Sequence, residues 1–185
     1  MDAFLSSTLA IAIAEVGDKT QLLALLLAAR FRQRGAIIAG IFIATLVNHA
    51  LSAWLGQWLN DFIPALWYPY IIGGIFILLG LWLLVPDKEE PVATGIFRYG
   101  AFVSALVLFF IAEIADKTQV ATVVLAAKYD NFTMVVMGST LGMLIANVPV
   151  VFAGRWLLKR IPMTLIHYSA CALFIGLGVA TMVWG

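Results

Sequence analysis

The sequence predicts an all-α membrane protein with six transmembrane helices arranged as two inverted three-helix repeats. Three observations predict it: an apolar composition, six apolar stretches separated by polar breaks, and an internal repeat at a fixed offset. Of the 185 residues, 63% are hydrophobic and only 11% charged, with a mean hydropathy of +1.03. A water-soluble domain needs more polar surface than this, so lipid has to serve as the solvent for most of the chain.

A bilayer core takes about 20 apolar residues per helix, and the stretches fall near 3–29, 36–58, 66–85, 98–127, 132–157 and 163–184. Arg30, Arg32, Arg34 and Gly35 close the first, and Asn60, Asp61 and Pro64 close the second. The stretch Pro86-Asp87-Lys88-Glu89-Glu90-Pro91 follows the third, with Glu89 and Glu90 read as solvated loop charge. Lys128 to Asn131 and Lys159 to Pro162 mark the remaining breaks. Trp58, Trp67, Tyr68, Tyr70, Tyr99, Tyr129, Trp156 and Trp184 gather near these ends, as interfacial belts do, and His167 opens the last span. Asp2 and the lack of a basic leader make the first stretch a retained helix rather than a cleaved signal peptide.

Orientation follows from the cations. Arg30, Arg32, Arg34, Lys88, Arg98, Arg155, Lys159 and Arg160 all fall on one face, against Lys128 on the other. By the positive-inside rule the first face is cytoplasmic. Both termini are then outside, periplasmic if the protein sits in an inner (plasma) membrane. Cys171, the single cysteine, excludes an intrachain disulfide and a cysteine-rich zinc site, and reads as a packing residue.

Displaced by 98 residues, the sequence aligns with itself. Glu15-Val16-Gly17-Asp18-Lys19-Thr20-Gln21 meets Glu113-Ile114-Ala115-Asp116-Lys117-Thr118-Gln119. Ser6 meets Ser104, Gly40 meets Gly138, Trp58 meets Trp156, Pro64 meets Pro162 and Phe76 meets Phe174. Bias toward Leu and Ala would not align Glu, Asp, Lys, Trp and Pro in one register. The repeats are residues 1–86 and 98–185, joined by a cytoplasmic linker at 87–97. Three helices is an odd number, so the second copy is upside down, a construction common among secondary transporters.

Ionisable groups in hydrocarbon cost about 2.5 kcal/mol or more each, so Glu15, Asp18, Lys19, Glu113, Asp116 and Lys117 need a purpose. Glu15 and Glu113 each lie about 18 Å into a span, from opposite faces. On unbroken helices Glu15, Asp18 and Gln21 form one stripe, as do Glu113, Asp116 and Gln119, with Lys19 and Lys117 placed to pair with the glutamate four residues earlier. Gly17 permits local unwinding and is a candidate hinge, whereas Ala115 predicts a more regular second motif. Structural ion-pair networks are the bland alternative, but apolar packing and the small residues Ala36, Gly40, Ala44, Gly138 and Gly142 would hold helices together without buried charge.

Four carboxylates and two ammonium groups sum to −2, which one divalent cation or two protons neutralise. Such a site can exchange the two without carrying a large net charge across the membrane. The candidate ligands are Glu15, Asp18, Glu113 and Asp116, with Gln21, Gln119, Thr20, Thr118, Asn48 and Asn147 as secondary donors, and Lys19 and Lys117 coupled to proton movement. All-oxygen sites suit Mn²⁺, Ca²⁺ or Mg²⁺ over copper or zinc. His49, paired with Asn147 by the repeat, reads as an interhelical hydrogen-bond partner, with ligation or proton relay as its alternative.

The doubled Glu-x-Gly-Asp-Lys-Thr motif resembles the cation/proton antiporter family that includes bacterial manganese exporters and the Golgi and thylakoid manganese/calcium transporters. The resemblance spans the whole chain and implies exchange of Mn²⁺, or Ca²⁺, for protons at a site formed by both motifs. It assigns Glu15, Gly17, Asp18, Lys19 and Thr20, then Glu113, Asp116, Lys117 and Thr118. Ala115 departs from the pattern, where a glycine is expected. The short chain fits the bacterial members. No prosthetic group and no nucleic acid is expected; the partners are the divalent ion and the lipid bilayer, with a homodimer left open. A transporter of organic cations or amino acids is the nearest rival. A membrane-embedded lipid pyrophosphate phosphatase would enlist arginine or a Ser/His nucleophile beside the acids, and no arginine is expected in this core. A passive channel fits poorly with opposed lysines and carboxylates at one depth.

Overall fold

Each acidic motif falls in a gap between two helices. The computed structural model describes residues 3–85, 94–114, 116–154 and 163–184. Its elements are α1 (Ala3–Glu15), α2 (Lys19–Arg30), α3 (Arg34–Asn60), α4 (Tyr68–Trp82), a 3₁₀ segment (Thr94–Tyr99), α5 (Gly100–Glu113), α6 (Lys117–Tyr129), α7 (Phe132–Ala153) and α8 (Met163–Trp184). Ala115, most of the 87–97 linker, and Arg155, Lys159 and Arg160 lie outside the described residues.

Local chemistry sets the ends. Pro69 sits in the first turn of α4, where a missing N–H costs nothing. Asp130 ends α6 in the left-handed region at φ 44°, and Asn131 Oδ1 accepts from Met134 N at 3.1 Å to start α7. Pro149 lies inside α7.

Four segments are long and apolar enough to cross a membrane: Arg34–Asn60, Gly95–Glu113, Phe132–Ala153 and Thr164–Trp184. Ala3–Glu15 and Tyr68–Trp82 are shorter apolar helices. Burial runs opposite to that of a soluble protein. Leu5, Leu51, Trp54, Leu78, Ile111, Met137 and Val183 point outward, while Glu15, Asp18, Asn48, His49, Glu113, Asp116 and Asn147 are buried. Such an arrangement is stable where the surrounding solvent is hydrocarbon.

Helices of the two chain halves interleave. α1 packs along α7, α5 along α3, and α4 against α8. Glycines allow these approaches: a Cβ on Gly40 would meet the Phe102 carbonyl and Ala105, and one on Gly138 would meet the Phe4 backbone and Ser7. The Gly73 and Gly178 backbones meet between α4 and α8, where Cys171 also packs, against Gly80. Phe76 and Phe174, both fully buried, pack with ring planes tilted by 55° and centroids 6.1 Å apart. The small residues singled out in the sequence therefore do serve packing.

Candidate cation site

Both motifs break their helices, which corrects the expectation of continuous polar stripes. α1 stops at Glu15 and α2 starts at Lys19; α5 stops at Glu113 and α6 starts at Lys117. Gly17 adopts φ +89°, a conformation that costs other residues about 1–2 kcal/mol. The second motif was expected to stay more regular, yet it breaks at the same place. What the two breaks share is an aspartate at the N-cap position, although neither side chain accepts a capping hydrogen bond. Asp18 (φ −77°, ψ 166°) and Asp116 (φ −80°, ψ 165°) both take the extended conformation favoured before a helix begins. A tight turn closes each break, with Asp18 N donating to Glu15 O at 3.1 Å and Asp116 N to Glu113 O at 3.2 Å.

Glu15, Glu113 and Asp116 come together, all buried, with a carboxylate oxygen from each lying within 4.8 Å of the others. Asp18 stands outside this trio but within electrostatic reach of Glu113 and Lys19. The threonines brace the glutamates: Thr20 Oγ1 donates to Glu15 Oε2 at 2.7 Å, and Thr118 Oγ1 to Glu113 Oε2 at 3.2 Å. Each glutamate keeps its other oxygen, Oε1, buried and without a hydrogen bond among the described residues.

The contacts seen for the lysines among the described residues are not with their own glutamates. Lys19 Nζ lies 3.3 Å from Asp116 Oδ1, across the halves. Lys117 Nζ donates to the Val85 carbonyl at 2.6 Å, a partner that no motif could announce. The i to i+4 spacing presumed a continuous helix, and the breaks remove it.

Gln21 is spent on the scaffold: its Oε1 accepts from Gly17 N at 3.0 Å and its Nε2 donates to Ala146 O at 2.9 Å, pinning the break to α7. Asn48 Nδ2 donates to Phe110 O at 3.1 Å, and Asn147 Nδ2 to Met143 O at 3.2 Å. Both asparagine Oδ1 atoms are buried without a hydrogen bond among the described residues, and Asn147 neighbours the Glu15 carboxylate. Gln119 lines an apolar groove with Leu51, Ser52, Leu55, Val120 and Val123. His49 is fully buried, and neither ring nitrogen finds a partner among the described residues.

Three clustered carboxylates, with Lys19 the ammonium in ion-pair contact among the described residues, gather negative charge away from water. That is costly unless further positive charge enters, as a metal ion or as protons. The oxygen atoms without partners are the places where it would bind.

The family described as "Divalent cation/proton antiporter GDT1" matches residues 3–91 and 101–185. The chain belongs to the GDT1 family. It is therefore a member of a family of divalent cation/proton antiporters, transporters and not enzymes. Among GDT1 relatives, a Vibrio cholerae serotype O1 protein named "Putative manganese exporter" is 45% identical, over 98% of this chain and 90% of its own length. "GDT1-like protein sll0615" of Synechocystis is 30% identical over 87% of each. "GDT1-like protein 3" of Oryza sativa subsp. indica is 27% identical over 97% of this chain and 73% of the relative. No solved structure matches.

Proposed function

We infer that this chain is a secondary-active antiporter exporting Mn²⁺, with Ca²⁺ as a second substrate, in exchange for protons. The observation that carries this reading is the meeting of Glu15, Glu113 and Asp116 from two separate motifs within 4.8 Å. A cluster of that span suits a dehydrated ion and leaves little room for an organic cation or amino acid. Glu15, Asp18, Glu113 and Asp116 supply the charge, with Asn48 and Asn147 adding carbonyl oxygens. Thr20, Thr118 and Gln21 orient the motifs, and Lys19 and Lys117 couple them to proton movement. Hard oxygen donors fit Mn²⁺ and Ca²⁺, and manganese is favoured by the name of the Vibrio relative.

The chain works by alternating access, as six crossings in two inverted repeats, residues 1–86 and 98–185. In this reading α1 with α2, and α5 with α6, each make one broken crossing. Paired contacts support it: Gly40 against Phe102 and Gly138 against Phe4 are the same contact displaced by 98 residues. Phe76 and Phe174 are equivalent residues in contact with each other, as expected at a pseudo-twofold axis. The protein resides in the inner membrane with both termini outside, as the basic residues direct.

The test is Mn²⁺ flux in proteoliposomes driven by a pH gradient, for wild type, Glu15→Gln and Asp116→Asn. Loss of flux in both variants is expected. Wild-type flux in either would remove that residue from the site, and flux insensitive to the pH gradient would remove the proton.

A further inference from the structure

The last turn of α6, far from the acidic cluster, is held by three side-chain hydrogen bonds to three different helices, and its C-cap residue Asp130 accepts a fourth from Gln57 Nε2 on α3 at 3.3 Å. Tyr129 Oη donates to Ser6 Oγ on α1 at 2.8 Å. Lys128 Nζ donates to Thr181 Oγ1 on α8 at 2.5 Å. Tyr68 Oη, on α4, donates to the Ala127 carbonyl at 2.5 Å. The Lys128 ammonium also lies 5.7 Å from the Phe76 ring centroid and 5.5 Å from that of Tyr129. Ser6 is nine residues from Glu15, about 14 Å along the helix, so the bonds close over the site at some distance from it.

The 98-residue repeat supplies an internal control. The counterparts of Tyr129, Lys128, Thr181 and Tyr68 are Phe31, Arg30, Leu83 and Ile166. Phe31 has no hydroxyl, and Leu83 and Ile166 have no polar atom. At that opposite end Phe31 packs edge-on against Phe97, 6.0 Å between centroids, and Ser104 turns back to its own segment, donating to Ile96 O and Gly100 O. Among the described residues, no side-chain hydrogen bond ties the Ala28–Phe31 end of α2 to another helix. Hydrogen bonds are directional and break outright when helices part, whereas aromatic contacts can slide.

We propose that Tyr129, Lys128 and Tyr68 form a one-sided gate that biases the transporter, when no ion is bound, toward opening on the opposite, arginine-bearing face. The repeat makes the two open states similar in backbone, and the side-chain bonds make them unequal in energy. The proposal rests on the alternating-access reading above, but it concerns which face opens rather than what is carried.

Sided labelling tests it. In a Cys171→Ala background, Ser7→Cys and Ala105→Cys place equivalent thiols two turns from Glu15 and Glu113, on either side of the site; both positions are fully buried. A membrane-impermeant thiol reagent is added to each face of sealed vesicles without Mn²⁺. Tyr129→Phe and Thr181→Val should each speed labelling of Ser7→Cys about fivefold, the population shift expected from one lost hydrogen bond. Labelling of Ala105→Cys from the other face should stay the same or slow, and Thr181→Ser, which keeps its hydroxyl, should behave as the parent. Unchanged labelling of Ser7→Cys, or equal acceleration of both thiols, overturns the gate; the second result would mark general loosening. Mn²⁺ flux is measured on the same vesicles. Loss of flux from every protein, the parent included, would count against the transport reading while the labelling still judged the gate.

Discussion

Lys19 Nζ stands 3.3 Å from Asp116 Oδ1, whereas its equivalent, Lys117, donates to the Val85 carbonyl. The repeated sequence therefore folds into a site with unequal halves. Lys19 is an ammonium in contact with the trio, and in the proposed site it would compete with the cation for Asp116.

Replacing Lys19 with Met should therefore raise apparent Mn²⁺ affinity and slow turnover, each severalfold, because the lysine is partly exposed and its bridge correspondingly modest. Flux measured across a range of Mn²⁺ concentrations should show KM and kcat falling together. A rise in KM would mean that Lys19 organises ligands instead of competing with the ion.

Metal affinity should rise with pH. The ion needs ionised carboxylates, so each proton on the trio must leave before or as the ion enters. Calorimetric titration in two buffers of different ionisation enthalpy should show proton release on Mn²⁺ binding, approaching two per ion when the starting pH is low. Binding that is indifferent to pH would separate the proton path from these carboxylates.

Gly17→Ala should destabilise the protein by about 1–2 kcal/mol, the cost of forcing a Cβ into a left-handed conformation. It should also weaken Mn²⁺ binding, because Gly17 N is one of the groups that orients Gln21. Thermal unfolding in detergent and metal titration read the two effects separately.

Thr20→Val keeps the shape of the side chain and removes its hydrogen bond to Glu15. Loss of about 1 kcal/mol of orientation predicts Mn²⁺ binding about fivefold weaker. Thr118→Val should cost less, since its bond is 3.2 Å against 2.7 Å. Equal effects would show that bond length at rest does not rank the two threonines.

The 98-residue register picks out Glu15, Glu113 and Asp116 by chemistry alone, and these are the carboxylates the fold brings together as a candidate site. Helix positions were legible as well, because polar breaks such as Arg30 to Gly35 and Asn60 to Pro64 are strong local signals. The geometry inside the motif was not. Spacing arguments assume an unbroken helix, and an aspartate that reads as an i+3 neighbour of glutamate instead starts the next helix. Ala115 misled for a related reason: a glycine suggests a break, but its absence does not forbid one, and Asp116 takes the same extended backbone as Asp18. The Lys117 partner was out of reach, since a bond to the carbonyl of Val85 leaves no mark in residue type.

The interleaving of helices sets a condition on how this protein can change. α1 rests on α7 and α5 on α3, so Phe4 fits Gly138 and Phe102 fits Gly40. Each half supplies the mould for the other. A bulkier residue at Gly138 is answered only by adjustment near Phe4, more than a hundred positions away in the chain. At these contacts the two copies cannot drift apart freely, whereas Tyr129 in place of Phe31 is a difference at a rim, where helices end.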